Sequence, residues 1–530
     1  MQSIPRLIII TGGVMSGLGK GVLGASIGHI LVSKNYKIVT IKIDPYFNYD
    51  AGTLNPYEHG EVFVTDDGGE IDLDFGHYER FIGITTKKKW NLTSGNIYKA
   101  VIDKERRGDF LGKTVQLIPH VTNEIKERIL KIWKEERPDF LIIELGGTIG
   151  DIEGRVFVEA LRQLKKNANC CYIHLTYVPI ITGEQKTKPT QRSVEILRSY
   201  GISPNFIVCR CKEFLQEKTK EKISLFCDVE KNRVISAPDV DVIYKVPLNL
   251  QKERLGEKIE SFFGLKERSC KLGLEEYVKK VNESYIEKTI AIAGKYATFS
   301  DAYISVVEAI KHACAELRIK PNIKWICTDE FDEEGKEKDL EKVLEGIDAV
   351  IVPGGFGKRG TEGKIKVIRY CRENNVPFLG LCLGFQLAVI EFARNVCGLE
   401  NANSTEFDPE VKHAVIDLME EQKKIMQLGG TMRLGKQKAI LKEGSLVHKL
   451  YGEKIVWERH RHRYEVNPKY IEILEKNGLV FSGKSENGLL MEFLELPGHK
   501  YFVATQAHPE FKSRPNKPAP LFLGLMKSCI

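Results

Sequence analysis

Short, nearly continuous apolar runs alternate with helical periods along the whole chain, the pattern of parallel strands buried on both faces. In the first half these runs are Leu7 to Ile10, Lys37 to Lys42, Phe140 to Glu144, Cys171 to Leu175 and Phe206 to Cys209. In the second they are Thr289 to Gly294, Ala349 to Val352, Pro377 to Gly380 and Tyr501 to Thr505. The pattern predicts two α/β domains, the first a doubly wound parallel sheet. Their expected limits are 1–265 and 289–530, joined by a charged helical linker over 266–288.

Composition narrows the partners. At 530 residues the chain is too long for one core. With 42% hydrophobic and 28% charged residues it matches an ordinary soluble protein. No run approaches the roughly 18 apolar residues of a membrane span, and the apolar start is too short for a secretory signal, so a cytoplasmic location is expected. The 12 cysteines contain no Cys-x-x-Cys pair, which argues against a zinc ribbon or a disulfide framework. A net charge of +7 suits anionic small molecules at least as well as nucleic acid, and no basic-aromatic stripe favours the latter.

The first run opens into Thr11-Gly12-Gly13-Val14-Met15-Ser16-Gly17-Leu18-Gly19-Lys20-Gly21, followed by a helix. Glycines let backbone N–H groups wrap a phosphate, the helix N-terminus adds positive potential, and Lys20 reaches the terminal phosphates. Gly21 stands where a plain phosphate-loop motif has Ser or Thr, so a magnesium ion needs ligands elsewhere. Asp72-Leu-Asp74 and Glu144 are the candidates, the latter at the carboxyl end of a central strand. A solvated acidic turn is an equally good reading of Asp72 and Asp74. Lys186-Thr187-Lys188-Pro189-Thr190-Gln191 gathers cations, hydroxyls and an amide for a second polyanion, with a solvated charge run as the bland alternative, and Lys42 precedes Asp44-Pro45-Tyr46 within reach of a transferred phosphate.

A second chemistry lies far downstream. Gly380-Leu381-Cys382-Leu383-Gly384 reads as a strand that delivers a thiol onto a sharp turn opening a helix, where the helix N-terminus favours thiolate. His508-Pro509-Glu510 supplies a base and a carboxylate to orient it. A buried structural cysteine is the bland alternative. His460 and His462 are interleaved with arginines, which favours anion recognition over a metal site.

Taken together these segments resemble the CTP synthase family, glutamine-dependent amidoligases that convert UTP to CTP. The resemblance spans essentially the whole chain. It includes Lys42-x-Asp-Pro-Tyr46, Glu58-His-Gly-Glu-Val-Phe-Val64, Asp72-Leu-Asp74, Gly76-His-Tyr-Glu-Arg-Phe81 and Lys104-Glu-Arg-Arg-Gly108. It continues through Gly146-Gly-Thr-Ile-Gly-Asp-Ile-Glu153, Pro353-Gly-Gly-Phe-Gly357, Asn401-Ala-Asn-Ser-Thr-Glu406, Leu428-Gly-Gly-Thr-Met-Arg433 and Glu458-Arg-His-Arg-His-Arg-Tyr464.

The resemblance implies a P-loop-type synthetase domain and a flavodoxin-like class I amidotransferase domain. In the first, Gly17, Leu18, Gly19, Lys20, Gly21 and Val22 would bind ATP, with Lys20 and Lys42 steering its γ-phosphate. Pro238, Asp239 and Val240 would line the adenine pocket, and Asp74 and Glu144 would ligate Mg²⁺. Ser16, Lys186 to Gln191 and Lys222 would hold UTP, while Asp151, Ile152 and Glu153 would contact inhibitory CTP. Lys222 lies in a helical stretch where a solvated lysine reads equally well.

In the second domain Cys382, His508 and Glu510 would hydrolyse L-glutamine, with Gly355 and Leu383 as oxyanion donors worth about 3–4 kcal/mol each. Gly384, Phe385, Gln386, Glu406 and Arg463 would grip the amino acid. The resemblance further implies an ammonia tunnel gated by Pro56, His59 and Val62. GTP would activate through Arg359 and the 428–433 segment, in a homotetramer that leaves open whether tetramers stack into filaments. Two positions depart from the family: Gly17 follows Ser16 where some members have a second serine, and Gly154-Arg-Val156 replaces the usual Ser-x-Pro beside the implied CTP contacts. Rival readings are another glutamine-dependent ligase, and a non-catalytic assembly paralogue.

Overall fold

The computed structural model describes residues 4–296, 299–333, 335–418 and 432–530. The chain forms two compact units: 1–54 with 71–278, and 55–70 with 279–530.

The first unit is built on a seven-stranded sheet in which every pairing is parallel. Its spatial order is Val234–Pro238, Phe206–Cys211, Asn169–Val178, Arg6–Gly12, Phe140–Leu145, Ile38–Asp44 and Asn91–Thr93. The continuous apolar runs follow from helices covering both faces: all seven residues of Ile38–Asp44 are buried. Register places Lys42 beside Glu144, and Ile10 on the other side of Glu144. Because all strands run one way, the phosphate loop, Asp44 and Glu144 emerge at the same sheet edge, where open α/β sheets bind ligands. Within the stretch expected as a linker, Leu274–Asn282 is a helix with Leu274, Tyr277 and Val278 buried, an i, i+3, i+4 stripe.

The second unit contains a nine-stranded sheet. Its parallel part runs Ile319–Cys327, Ile286–Gly294, Ala349–Val352, Phe378–Leu381 and Phe502–Thr505. Alternate residues of these strands enter two cores on opposite faces, Val350 and Val352 in one and Ala349 and Ile351 in the other. The sheet then continues antiparallel through Met491–Glu495, Val480–Ser485, Arg433–Leu441 and Ile455–His462. No helix among the described residues is long and apolar enough to cross a membrane.

Candidate active sites

In the first unit the phosphate loop turns through left-handed backbone at Val14, Gly17 and Gly19, then enters the helix Lys20–Ser33. Lys20 Nζ donates to the Gly147 carbonyl at 2.7 Å, and burial lowers its pKa, with Lys42 adding to the effect. A Cβ on Gly21 would lie 1.8 Å from Asp74 Oδ1. The Asp74 carboxylate therefore fills the space that a Ser or Thr side chain takes in the plain motif.

Lys42 Nζ lies at the centre of a carboxylate ring. It donates to Glu144 Oε1 at 2.8 Å and to Asp74 Oδ2, and stands 3.8 Å from Asp72 Oδ1 and 4.0 Å from Asp44 Oδ1. Tyr78 donates its hydroxyl to the other Glu144 oxygen, and Asn91 Nδ2 donates to Asp44 Oδ2 at 2.7 Å. Burial pushes Asp44 up to about 6 and Asp72 up to about 8. Against the same burial, Lys42, His77 and Lys20 together hold Asp74 down at about 2. Burial also opposes charge on Lys42, yet the four carboxylates carry its pKa well above the ordinary range. These acids are an enclosed set, not a solvated turn. Among the described residues no group of three or more His, Cys, Asp or Glu is arranged for a metal; the carboxylates face Lys42 instead.

Beside the loop lies a cavity of about 220 Å³ lined by Leu18, Gly19, Val22, Arg210, Pro238, Asp239 and Val240 among others. Arg210 bridges its two sides, with Nε 2.8 Å from Asp239 Oδ1 and NH1 donating to the Leu18 carbonyl at 3.3 Å. An apolar slot with one polar edge matches a planar base. Ser16 is exposed at the loop tip. Lys186 pairs with Glu184 at 2.6 Å, Thr187 and Thr190 are buried, and Lys188 and Pro189 begin the helix Lys188–Ser199. Lys188 Nζ stands 5.8 Å over the Phe226 ring, and Gln191 donates to the Thr187 hydroxyl at 2.9 Å. Lys222 is exposed on the helix Glu217–Cys227, while Asp151, Ile152 and Glu153 are exposed in the loop after Glu144.

In the second unit Cys382 has φ 52 and ψ −100, at the junction of the strand Phe378–Leu381 and the helix Leu383–Asn395. No relaxed conformation of a non-glycine residue has these angles, so surrounding structure imposes them. A Cβ on Gly384 would lie 2.2 Å from the Val352 carbonyl, which is why glycine follows the turn. His508 Nδ1 and Glu510 Oε1 are 2.7 Å apart, and the His508 ring stacks on Phe511. A Cβ on Gly354 would lie 2.9 Å from His508 Cε1 and 3.4 Å from Cys382 Cβ, so thiol and imidazole share one pocket. Burial opposes charge on His508, but Glu510 and the Cys382 sulfur raise its pKa to about 10.

Leu383 opens its helix, so its N–H has no intrahelical acceptor. Gln386 Nε2 donates to the Tyr464 carbonyl at 3.0 Å and to Gln506 Oε1 at 3.3 Å. Glu406 accepts from Gly357 N–H at 2.7 Å, and burial raises its pKa against the pull of Arg463. The Phe385 side chain is in the core, leaving only its backbone for the site.

A family model described as CTP synthase N-terminus matches residues 6–265, and one described as glutamine amidotransferase class-I matches residues 298–528. A CTP synthase from Methanocaldococcus jannaschii is 55% identical over 537 residues, covering 100% of this chain and 99% of that protein. The chain belongs to the CTP synthase family. A CTP synthase from Carboxydothermus hydrogenoformans is 56% identical over 524 residues, 98% of this chain and 97% of that protein. Among solved structures, the Trypanosoma brucei CTPS glutaminase domain with bound acivicin is 38% identical, covering 46% of this chain and 93% of that chain, with a TM-score of 0.44. As a CTP synthase family member the chain is a glutamine-hydrolysing ligase.

Several members of these sites carry no local motif. Arg210 has only an isolated arginine as its signal, and Gln506 Nε2 lies 3.9 Å from Cys382 Sγ. The histidine reading changes as well. His460 and His462 are buried, with His460 Nδ1 and His462 Nε2 3.1 Å apart, beside Glu465 and Glu492, which both bind Arg433. Burial holds both imidazoles well below the ordinary range, so this pair is neutral core structure and not an anion site. Strand alternation explains the error: the histidines lie on one face of the strand, while Arg459 and Arg461 lie on the other and pair with Asp66 and Glu70. Arg359 pairs with Asp329 at 2.8 Å, and 428–431 of the expected lid lie outside the described residues.

Proposed function

We propose that the chain aminates UTP to CTP, using ATP to activate the base and glutamine as the nitrogen source. The reading is carried by one observation: Lys20, Lys42, Asp74 and Glu144 converge at the carboxyl edge of one parallel sheet, in a chain that also holds a strained Cys382 beside His508. ATP takes the phosphate loop, with its base in the cavity under Pro238 to Val240. Lys186 to Gln191 and Lys222 hold the UTP triphosphate and uracil.

Uracil O4 attacks the γ-phosphorus, the bond to the β-phosphate oxygen breaks, and ADP leaves. Lys20 and Lys42 follow the charge moving onto the transferred group. Asp74 and Glu144 supply hard oxygen donors, and four acids around one lysine leave negative charge to balance, which fits Mg²⁺. Held by Asp74 and Glu144, Mg²⁺ would supply positive charge to offset that of the phosphates. Ammonia then adds at C4, phosphate leaves with the former O4, and loss of a proton gives CTP.

In the second unit the Cys382 sulfur attacks the glutamine carboxamide carbon. Gly355 and Leu383 N–H groups hold the oxyanion, and His508 gives the departing ammonia its proton. Water then cleaves the thioester, with His508 taking up its proton, and glutamate leaves. Gln386, Glu406 and Arg463 grip the amino acid, Arg463 by its fit to a carboxylate. Ammonia reaches the first unit internally past Pro56, His59 and Val62. GTP activates through Arg359, CTP inhibits through Asp151 to Glu153, and a cytoplasmic homotetramer completes the nucleotide sites.

The test supplies UTP, ATP and Mg²⁺ with either glutamine or ammonium chloride and follows CTP. Cys382→Ala should lose synthesis from glutamine and keep it from ammonia. Absence of CTP from ammonia in the unaltered protein would reject the proposal.

A further inference from the structure

Two lysines lie under the loop Pro353 to Gly357, which carries the Gly355 N–H assigned above to the oxyanion. Lys295 directly follows the strand Ile286–Gly294, Lys364 lies in the helix Thr361–Glu373, and both are buried. Lys364 Nζ donates to the Pro353 carbonyl at 3.2 Å, and Lys295 Nζ donates to the Phe356 carbonyl. The Phe356–Gly357 peptide is also held at its other end, where Gly357 N–H donates to Glu406. A Cβ built on Gly355 would lie 3.6 Å from Lys295 Cε and 3.7 Å from Lys364 Nζ, so both side chains approach that one residue.

The Pro353–Gly354 and Phe356–Gly357 peptides are thus pinned, and the two peptides between them, one of which carries the Gly355 N–H, are tethered at both ends. Two ammonium groups kept in a dry interior for main-chain carbonyl acceptors are costly as plain structure. Burial lowers both pKa values, that of Lys364 to about 7. The groups facing Lys364 are Lys295, which adds to this shift, and Cys382, Asp329 and Asp332, which oppose it.

We propose that Lys295 and Lys364 are positioning residues for glutamine hydrolysis, holding the Pro353 to Gly357 loop so that the Gly355 N–H meets the oxyanion formed at Cys382. This rests on the reading of Cys382 as nucleophile and Gly355 as donor. The two lysines act through the peptide and touch no reacting atom.

The test compares two reactions of the same thiol in the full chain. Glutamine hydrolysis builds an oxyanion, whereas alkylation by iodoacetamide displaces iodide and builds none. Lys295→Met and Lys364→Met should each lower glutaminase kcat about 10-fold and together about 100-fold, the scale of a mispositioned reacting group. Cys382 alkylation, followed by peptide mass spectrometry, should keep its rate, as should CTP synthesis from ammonia. An unchanged kcat in the double variant overturns the proposal. So does a parallel fall in alkylation, because the lysines would then act on the thiol. Should methionine prevent folding, glutamine replaces it and the same split decides. Glutaminase that survives full alkylation of Cys382 in the unaltered chain would instead sink the nucleophile assignment, so the two failures are distinct.

Discussion

His508 shows how much a residue's neighbours decide. Burial alone would leave it a neutral imidazole, but Glu510 and the Cys382 sulfur carry its pKa from 6.5 to about 10. A folded-state pKa above the unfolded value stabilises fully below about 6.5 and loses that contribution as pH rises through about 10. Glu510→Gln removes the larger of the two raising charges. The thermal midpoint of the unaltered protein should therefore exceed that of Glu510→Gln most near pH 6, with the gap closing towards pH 10. Differential scanning calorimetry across that range checks it, and a gap independent of pH would contradict the linkage. Lys20, Glu144, Cys382 and His508 were readable in the sequence because each stands in a strand-end or turn motif whose geometry is local. Asp44, Arg210 and Lys364 were not, because their partners are set by strand order and helix packing that no short window contains.

At the scale of elements, the phosphate loop and the helix Asp74–Ile82 share one space. The loop's departure from the plain motif is explained by the Asp74 carboxylate, which occupies the volume beside Gly21. Gly21→Ser restores the common motif residue yet places Cβ against Asp74, displacing both the carboxylate and the loop. CTP synthesis from ammonia should fall at least about 100-fold, while glutaminase activity measured alone stays the same. Arg210, which spans the adjoining cavity to Asp239 and Leu18, gives a second test. Arg210→Ala should raise KM for ATP about 10-fold, the loss of one charge-assisted contact, and leave KM for UTP within two-fold. Equal changes in both would assign the cavity to something other than the adenine. The parallel strands were legible from their unbroken apolar runs. The antiparallel extension was not: Arg433–Leu441 and Ile455–His462 carry charged side chains on both faces, satisfied by Asp66, Glu70, Glu465 and Glu492, and so lack the apolar alternation that marks a strand.

For the whole molecule the order of the chain matters as much as its motifs. Residues 55–70 belong to the second compact unit although they precede most of the first, so the backbone passes between units at 54–55, 70–71 and 278–279. The expected boundary near 265–289 captures only the last crossing, because a sixteen-residue excursion leaves composition and periodicity unchanged. Its packing is specific. Asp66 Oδ1 lies 2.6 Å from Nε of the buried Arg459, Glu70 pairs with Arg461 at 2.7 Å, and Phe63 meets Phe511 edge-on, the ring on which His508 stacks. A glutaminase half cut as 279–530 therefore strips Arg459 of both Asp66 and the Phe63 ring against its guanidinium and exposes it. It also uncovers Phe511, on which the His508 ring stacks. That fragment should melt below the same fragment carrying 55–70 through a flexible linker, and should hydrolyse glutamine more slowly. Asp66→Ala in the linked form should return most of the stability difference without restoring the exposure of Phe511, separating the ion pair from the aromatic contact. Equal midpoints and rates for the two fragments would show that 55–70 is only laid against the second unit and supports neither its stability nor its base.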